Sequence, residues 1–317
     1  MAKKKQEKLD ALIFIDTNIY LDFYRIRNSN VSMKYLEQIE KHKELIITSS
    51  QVEMEYKKNR QSVILESIGE LKKIGNIGIS VPAILSDAKA VEMIKKSKTD
   101  ITKNQKQLKE RIEKILKSPN YNDPVFKSLQ KLFKNESEIN LNRENEIRFE
   151  IRELAQKRFT LGYPPRKKSD NSIGDAVNWE WIISCAKSTG KNIIIVTRDS
   201  DFGCNYDSDS HLNDWLKQEF KQRISQKRKI VLTDRLTTAF KLVEIPVTEE
   251  MIKEEENIIK LSKTNYNIHQ FQTTMQNWQN NFNTDNLNNS VHRMQEVFQH
   301  FNKNRFIIES DEDNEDE

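Results

Sequence analysis

LDALIFIDTN, residues 9–18, sets an unbroken apolar run, Ala11 to Ile15, directly against Asp16. Consecutive apolar residues without alternation describe a strand buried on both faces, the signature of a parallel sheet. Helical material follows through Tyr24 and again around VSMKYLEQIEK, before ELIIT at residues 44–48 offers a second strand. Ser50 with Glu53 fits a capping box opening the next helix. NIIIVT, residues 192–197, is a further strand, and IVL (230–232) and VEIPV (243–247) read as an edge strand or strand-like linkers. Strands alternating with helices predict an α/β fold with a central parallel sheet. Asp16 then has two readings: a cap for the next turn, or one member of a metal-binding set drawn from distant parts of the chain.

Composition narrows the class. No apolar stretch is long enough to span a bilayer, MAKKKQEKLD lacks the apolar segment of a secretory signal, and only Cys185 and Cys204 are present. These features predict a cytoplasmic protein without a disulfide framework or membrane partner. The five histidines show no metal-ligand spacing and no nucleophilic triad, and no Walker loop occurs. The net charge is +4, but residues 309–317 hold seven acids and no Lys or Arg, so residues 1–308 carry +11. That balance favours an anionic partner.

Along the chain we expect a basic tail (1–8), an α/β domain (9–247) with a helical insertion at about 86–160, an amphipathic helical appendage (248–305) and an acidic tail (306–317). In the insertion, ITKNQKQLKERIEKILK places Leu108, Ile112, Ile115 and Leu116 at helical spacing with charges elsewhere. INLNRENEIRFEIRELAQKRF is read as continuing helically. The insertion's basic side either guides a substrate or is an ordinary amphipathic cover. Residues 264–303 carry two more amphipathic patterns, which either pack on the body or bind a protein partner or a second copy.

Five acids sit at or near element boundaries. Asp16 ends the first strand; Glu55 follows the second within TSSQVEMEYKKNR; Asp175 opens a helix whose Trp179, Ile182 and Ala186 share its face; Asp199 and Asp201 follow NIIIVT. In a parallel sheet the carboxyl ends of the strands converge on one rim, where such residues meet. An inward carboxylate is costly unless a cation or donors compensate it. Oxygen ligands suit Mg2+ or Mn2+, and such a centre activates water and neutralises a phosphodiester. Structural readings stand beside these: Glu55 pairing with Lys57, Lys58 or Arg60, and Asp175 held by the helix field. Thr17, Asn18, Asn178 and Thr197 either orient an acid or phosphate or serve turns and packing. Arg166, Lys167 and Lys168, with Arg198 and the 221–229 cluster, are candidate phosphate contacts. Tyr163 and Tyr206 are aromatic faces for stacking or packing.

FIDTNI, VEMEYKKNR, GDAVNWEWII and VTRDSDF, in this order and spacing, resemble the acidic motifs of PIN-like nuclease domains, over about residues 9–245. PPRKKSD resembles the approach to the third motif in the branch with a large helical insertion, with Arg166 where a small glycine is more typical. The resemblance implies a three-layer α/β/α fold and Mg2+- or Mn2+-dependent phosphodiester cleavage, usually of RNA, with DNA open. It implies metal ligation by Asp16, Glu55, Asp175 and Asp199, with Asp201 direct or second, and a toxin–antitoxin or phage-defence setting. The rival expectation is a catalytically inactive nucleic-acid-binding or partner-binding protein on the same scaffold.

Overall fold

In the computed structural model, which describes residues 8–74, 82–85, 87–166, 172–207 and 209–261, the opening apolar run is the middle of a five-stranded sheet. β1 (Ala11–Ile15) is buried along its whole length. α1 (Thr17–Asp22) starts one residue after it, and α2 (Ser29–Lys41) is capped by Asn28, whose side chain accepts from the Asn30 amide. The chain then enters β2 (Ile46–Ser49), parallel to β1 with Ile13 opposite Ile46.

α3 (Ser50–Ile74) leaves β2 without a loop. Its capping hydroxyl belongs to Ser49, which accepts from the Val52 amide at 3.2 Å, while Glu53 pairs with Lys57 at 2.6 Å. The box read on Ser50 does not form: the cap lies one residue earlier and Glu53 is taken by Lys57. Two adjacent serines carry the same cap chemistry, and only the strand end decides between them.

α4 (Lys89–Lys117), α5 (Pro119–Asn122) and α6 (Pro124–Phe133) follow as expected for a helical segment. The helical reading fails at INL. Asn140 and Leu141 form β3, parallel to β2 opposite Thr48 and Ser49. The Asn140 side chain donates to the carbonyls of Phe133 and Asn135, a local bonding pattern that competes with helix. A two-residue strand is too short to show a period of its own. Helix resumes with α7 (Ile147–Thr160) and α8 (Gly174–Thr189).

β4 (Asn192–Val196) returns to the other side of β1, paired from Ala11↔Asn192 to Ile15↔Val196. An antiparallel hairpin, β5 (Gly203–Tyr206) with β6 (Asp209–Leu212), comes next. A Cβ at Gly203 would run into the His211 carbonyl, so this close approach of two backbones requires glycine. α9 (Asp214–Arg223), β7 (Ile230–Thr233) and α10 (Leu236–Leu242) complete the series. Residues 243–247 are turn and irregular backbone, so VEIPV is a linker and IVL is the edge strand.

The strand order is β3-β2-β1-β4-β7, all parallel, within a three-layer α/β/α fold. The chain builds outward from β1 to β3 and then restarts at β4, so the winding reverses between β1 and β4. Reversal of this kind opens a crevice beyond the carboxyl ends of the two strands. Trp179, Tyr20, Phe14, Phe202 and Phe220 are fully buried beneath it. Each contributes on the order of 1.5–3 kcal/mol by leaving water.

Two buried ion pairs join the helices. Arg60 of α3 meets Asp123, which caps α6, and Arg158 of α7 meets Glu180 of α8. Burial acts to raise the Glu180 carboxyl, but hydrogen bonds from Arg223 and Arg158 outweigh it and hold that group below its ordinary range. Residues 249–261 are helical. In this segment Met251 accepts from the Tyr35 hydroxyl, and the buried Glu255 carboxylate accepts from the Leu236 and Thr237 amides at the start of α10. The first compact unit thus runs to Ile258, and the second begins at Ile259. The two amphipathic patterns in 264–303 and the acidic tail lie outside the described residues. Among those described, no helix is long and apolar enough to cross a membrane.

Candidate active site

Asp16 is the residue after β1 and is almost fully buried. One carboxylate oxygen accepts from the Thr17 amide at 2.6 Å, which makes Asp16 the cap of α1. The other accepts from Asn18 Nδ2 at 2.8 Å and from the Thr197 hydroxyl at 2.6 Å. The capping reading is therefore correct, and it uses half of the carboxylate. Thr197 follows β4, the strand beside β1, and its Oγ1 also accepts from the Asp199 amide at 3.0 Å. The adjacent ends of β1 and β4 are thereby tied together, with Asp199 held in the turn.

Glu55 enters from α3. The Thr17 hydroxyl donates to one of its oxygens at 3.0 Å and Gln51 Nε2 to the other at 2.7 Å. Lys57 is engaged by Glu53 and Arg60 by Asp123, so the pairings considered for Glu55 with these two cations are replaced by Thr17 and Gln51. α8 begins against the same carboxylate: a Cβ at Gly174 would collide with Glu55 Oε1 and Gln51 Nε2. The next residue, Asp175, is half-buried in the first turn of α8. Bonds and contacts thus run continuously from Asp199 through Thr197, Asp16, Thr17 and Glu55 to Gly174.

Electrostatics agree with this path. Burial, then the charge of Asp199, then those of Asp175 and Glu55 raise the Asp16 carboxyl to about 8, against the hydrogen bond from Thr197. The charges of three carboxylates from distant segments thus reach Asp16. Asp201 is half-buried in the turn before Phe202.

The other expected contacts divide. Asn18 and Thr197 bind Asp16 directly, and Thr17 bridges it to Glu55. Asn178, one turn beyond Asp175 and buried, accepts from the Ser49 hydroxyl at 3.2 Å. Arg198 turns from the acids to pair with Asp22 of α1, and its backbone amide reaches Asn18. Arg166 is exposed and lies over the Phe159 ring, while Lys167 and Lys168 lie outside the described residues. Arg223, from the 221–229 cluster, is paired with Glu180 and Glu219. Tyr163 packs on Trp215 with ring centres 4.9 Å apart; Tyr206 is exposed on β5. Sequence reasoning missed Ser49, Gln51 and Gly174. Gln51 had a readable signal, four residues before Glu55 on the same helix face.

The donor set is all oxygen, hard and anionic, which suits Mg2+ or Mn2+. As placed, no three His, Cys, Asp or Glu side chains among the described residues form a group that could hold a metal ion. Asp16 and Glu55 instead keep their oxygens on hydroxyl and amide donors. The residues fit a divalent cation in chemistry, and a loaded centre would exchange some of these hydrogen bonds for ligation.

Fold and rim together define an α/β/α domain with Asp16 and Asp199 just beyond the ends of its two central strands. The chain belongs to the PIN domain family, whose model matches residues 13–202. No curated protein and no solved structure matches it.

Proposed function

We propose that this protein is a metal-dependent nuclease of the PIN branch with a large helical insertion, hydrolysing phosphodiester bonds with RNA as its preferred substrate. The observation that supports this reading is that the charges of Asp199, Asp175 and Glu55 act on the buried Asp16 at the carboxyl end of β1, beside the reversal of winding. Family membership supports nuclease chemistry in general. Mg2+ or Mn2+ held by these four acids, with Asp201 direct or one layer out, would neutralise the attacked phosphate and activate water.

The chain's own part is orientation and charge. Thr197 and Asn18 fix the outer oxygen of Asp16, and Gln51 and Thr17 fix Glu55, so the carboxylates start near a productive geometry. Gly174 lets the amino end of α8 reach Glu55 without a clash. Cleavage on this scheme leaves a 5′-phosphate and a 3′-hydroxyl. The resemblance supports a cytoplasmic toxin–antitoxin or phage-defence setting.

A second reading, a nucleic-acid-binding or partner-binding scaffold that does not cleave, is favoured by the absence of a gathered metal-holding group among the described residues. One assay separates the two. Pooled RNA and DNA are incubated with wild type, Asp16→Asn and Asp175→Asn in Mg2+ or Mn2+, with end-group analysis and circular dichroism of each protein. We expect the folded variants to lose on the order of a hundredfold or more in rate. Wild-type turnover by both variants removes the assigned roles, and binding without cleavage by wild type selects the scaffold.

A further inference from the structure

Acids that hold a metal repel the phosphates they are to cleave, so the substrate strand needs cationic purchase outside the crevice. Four of the described arginines are committed to carboxylates: Arg60 to Asp123, Arg158 to Glu180, Arg198 to Asp22 and Arg223 to Glu180 and Glu219. α4 is different. Its 29 residues hold ten Lys or Arg and four Asp or Glu, a net +6, and all ten cations are exposed. Lys96, Lys103, Lys106, Lys114 and Lys117 follow at intervals of seven, three, eight and three residues, which keeps them on one face of a helix about 44 Å long. Ile101, Ile112, Ile115 and Leu116 are half-buried on the opposite side. Among the described residues, the one ion pair involving α4 is Glu113 with Lys117, at 4.0 Å.

The C-terminal end of this helix is tied to α3, the helix that carries Glu55. Arg60 Nη2 donates to the Ile115 carbonyl at 3.0 Å, fastening the last turns of α4 to α3. Arg60 lies five residues after Glu55 on α3, about 7.5 Å along its axis. Lys114 and Lys117 flank the fastened residue.

We infer that α4 is the arm that captures the nucleic-acid strand, its lysine face running along the phosphate backbone toward the crevice. Capture makes no sequence-specific base contacts and is driven by counterion release. The part α4 plays in turnover rests on the nuclease reading; binding itself does not need the acids. A bilayer would instead seek the apolar side of the helix, which is partly covered.

The test uses the full chain with divalent ions chelated, so that nothing is cut, and fluorescence anisotropy with labelled single strands of RNA and of DNA across a salt series. The set K96Q/K103Q/K106Q/K114Q should bind at least tenfold more weakly at low salt. Its plot of log affinity against log salt should flatten by up to about 3, since each lost single-strand phosphate contact removes about 0.7. The same four positions changed to Arg should bind as wild type, and K41Q/K187Q/K217Q/K241Q, an equal charge loss elsewhere on the surface, should change the slope far less. Wild-type binding by the first set overturns the inference. So does equal loss from the Arg set or the distant set, or wild-type binding to anionic phosphatidylserine vesicles but not to strands. Strand capture through α4 without any cleavage in Mg2+ or Mn2+ would overturn the nuclease reading and leave this one intact.

Discussion

Asp16 caps α1 with one oxygen and offers the other to Thr197 and Asn18 while three further acids act on it. Its raised carboxyl has a consequence for stability. An unfolded aspartate ionises near pH 4, whereas the folded one does so at about 8. Between those values the native state holds a proton that the unfolded chain has released, so stability falls as pH rises through the window and is intact below it. Each pH unit within that window costs on the order of 1 kcal/mol. With divalent ions chelated, denaturant unfolding at pH 5 and pH 8 should show this loss in wild type and a much flatter response in Asp16→Asn. Adding Mg2+ or Mn2+ at pH 8 should restore wild type and leave the variant unchanged. Equal pH responses for both proteins would mean that Asp16 ionises without penalty. The acid itself was readable because it interrupts an apolar run. Gly174 was not, since what fixes it is the Glu55 carboxylate, more than a hundred residues earlier in the chain.

At the level of elements, hydrophobic runs located β1, β2, β4 and β7, because strands covered on both faces advertise themselves by composition. β3 escaped notice because two residues flanked by amides look like helix or loop, and its identity rests on pairing with β2. The Ser49 cap illustrates the same limit, set by where a strand ends. α3 is fixed by another contact no local pattern announces: the buried Arg60–Asp123 pair, which also bonds Tyr24 and the Ile115 carbonyl. Asp123→Ala removes both a charge partner and the cap of α6. We expect a loss of about 3–5 kcal/mol in urea unfolding, because Arg60 is left buried without its counter-ion. Restoring part of that loss by the second change Arg60→Met would assign it to the orphaned charge. A double variant no more stable than Asp123→Ala would assign it to the cap.

At the scale of the whole molecule, the order of strands decides where the acids meet, and the distribution of charge decides what approaches them. The winding reversal between β1 and β4 brings Asp16 and Asp199 to neighbouring strand ends although 182 residues separate them in sequence. A net +11 over residues 1–308 favours a polyanion, while residues 309–317 carry seven negative charges of their own. A short acidic segment tethered to a cationic body competes with nucleic acid for the same surface at an effective concentration set by the chain between them. Deleting residues 309–317 raises the net charge from +4 to +11. On this argument the shortened chain binds a labelled RNA strand several-fold more tightly at about 50 mM salt, and the gap closes toward 1 M as the Debye length shrinks to roughly 3 Å. The gain should also disappear in the α4 glutamine set, because the competitor and the strand then share a surface that no longer holds either. Unchanged affinity at low salt would show that the acidic segment is only solvated and does not compete for that surface.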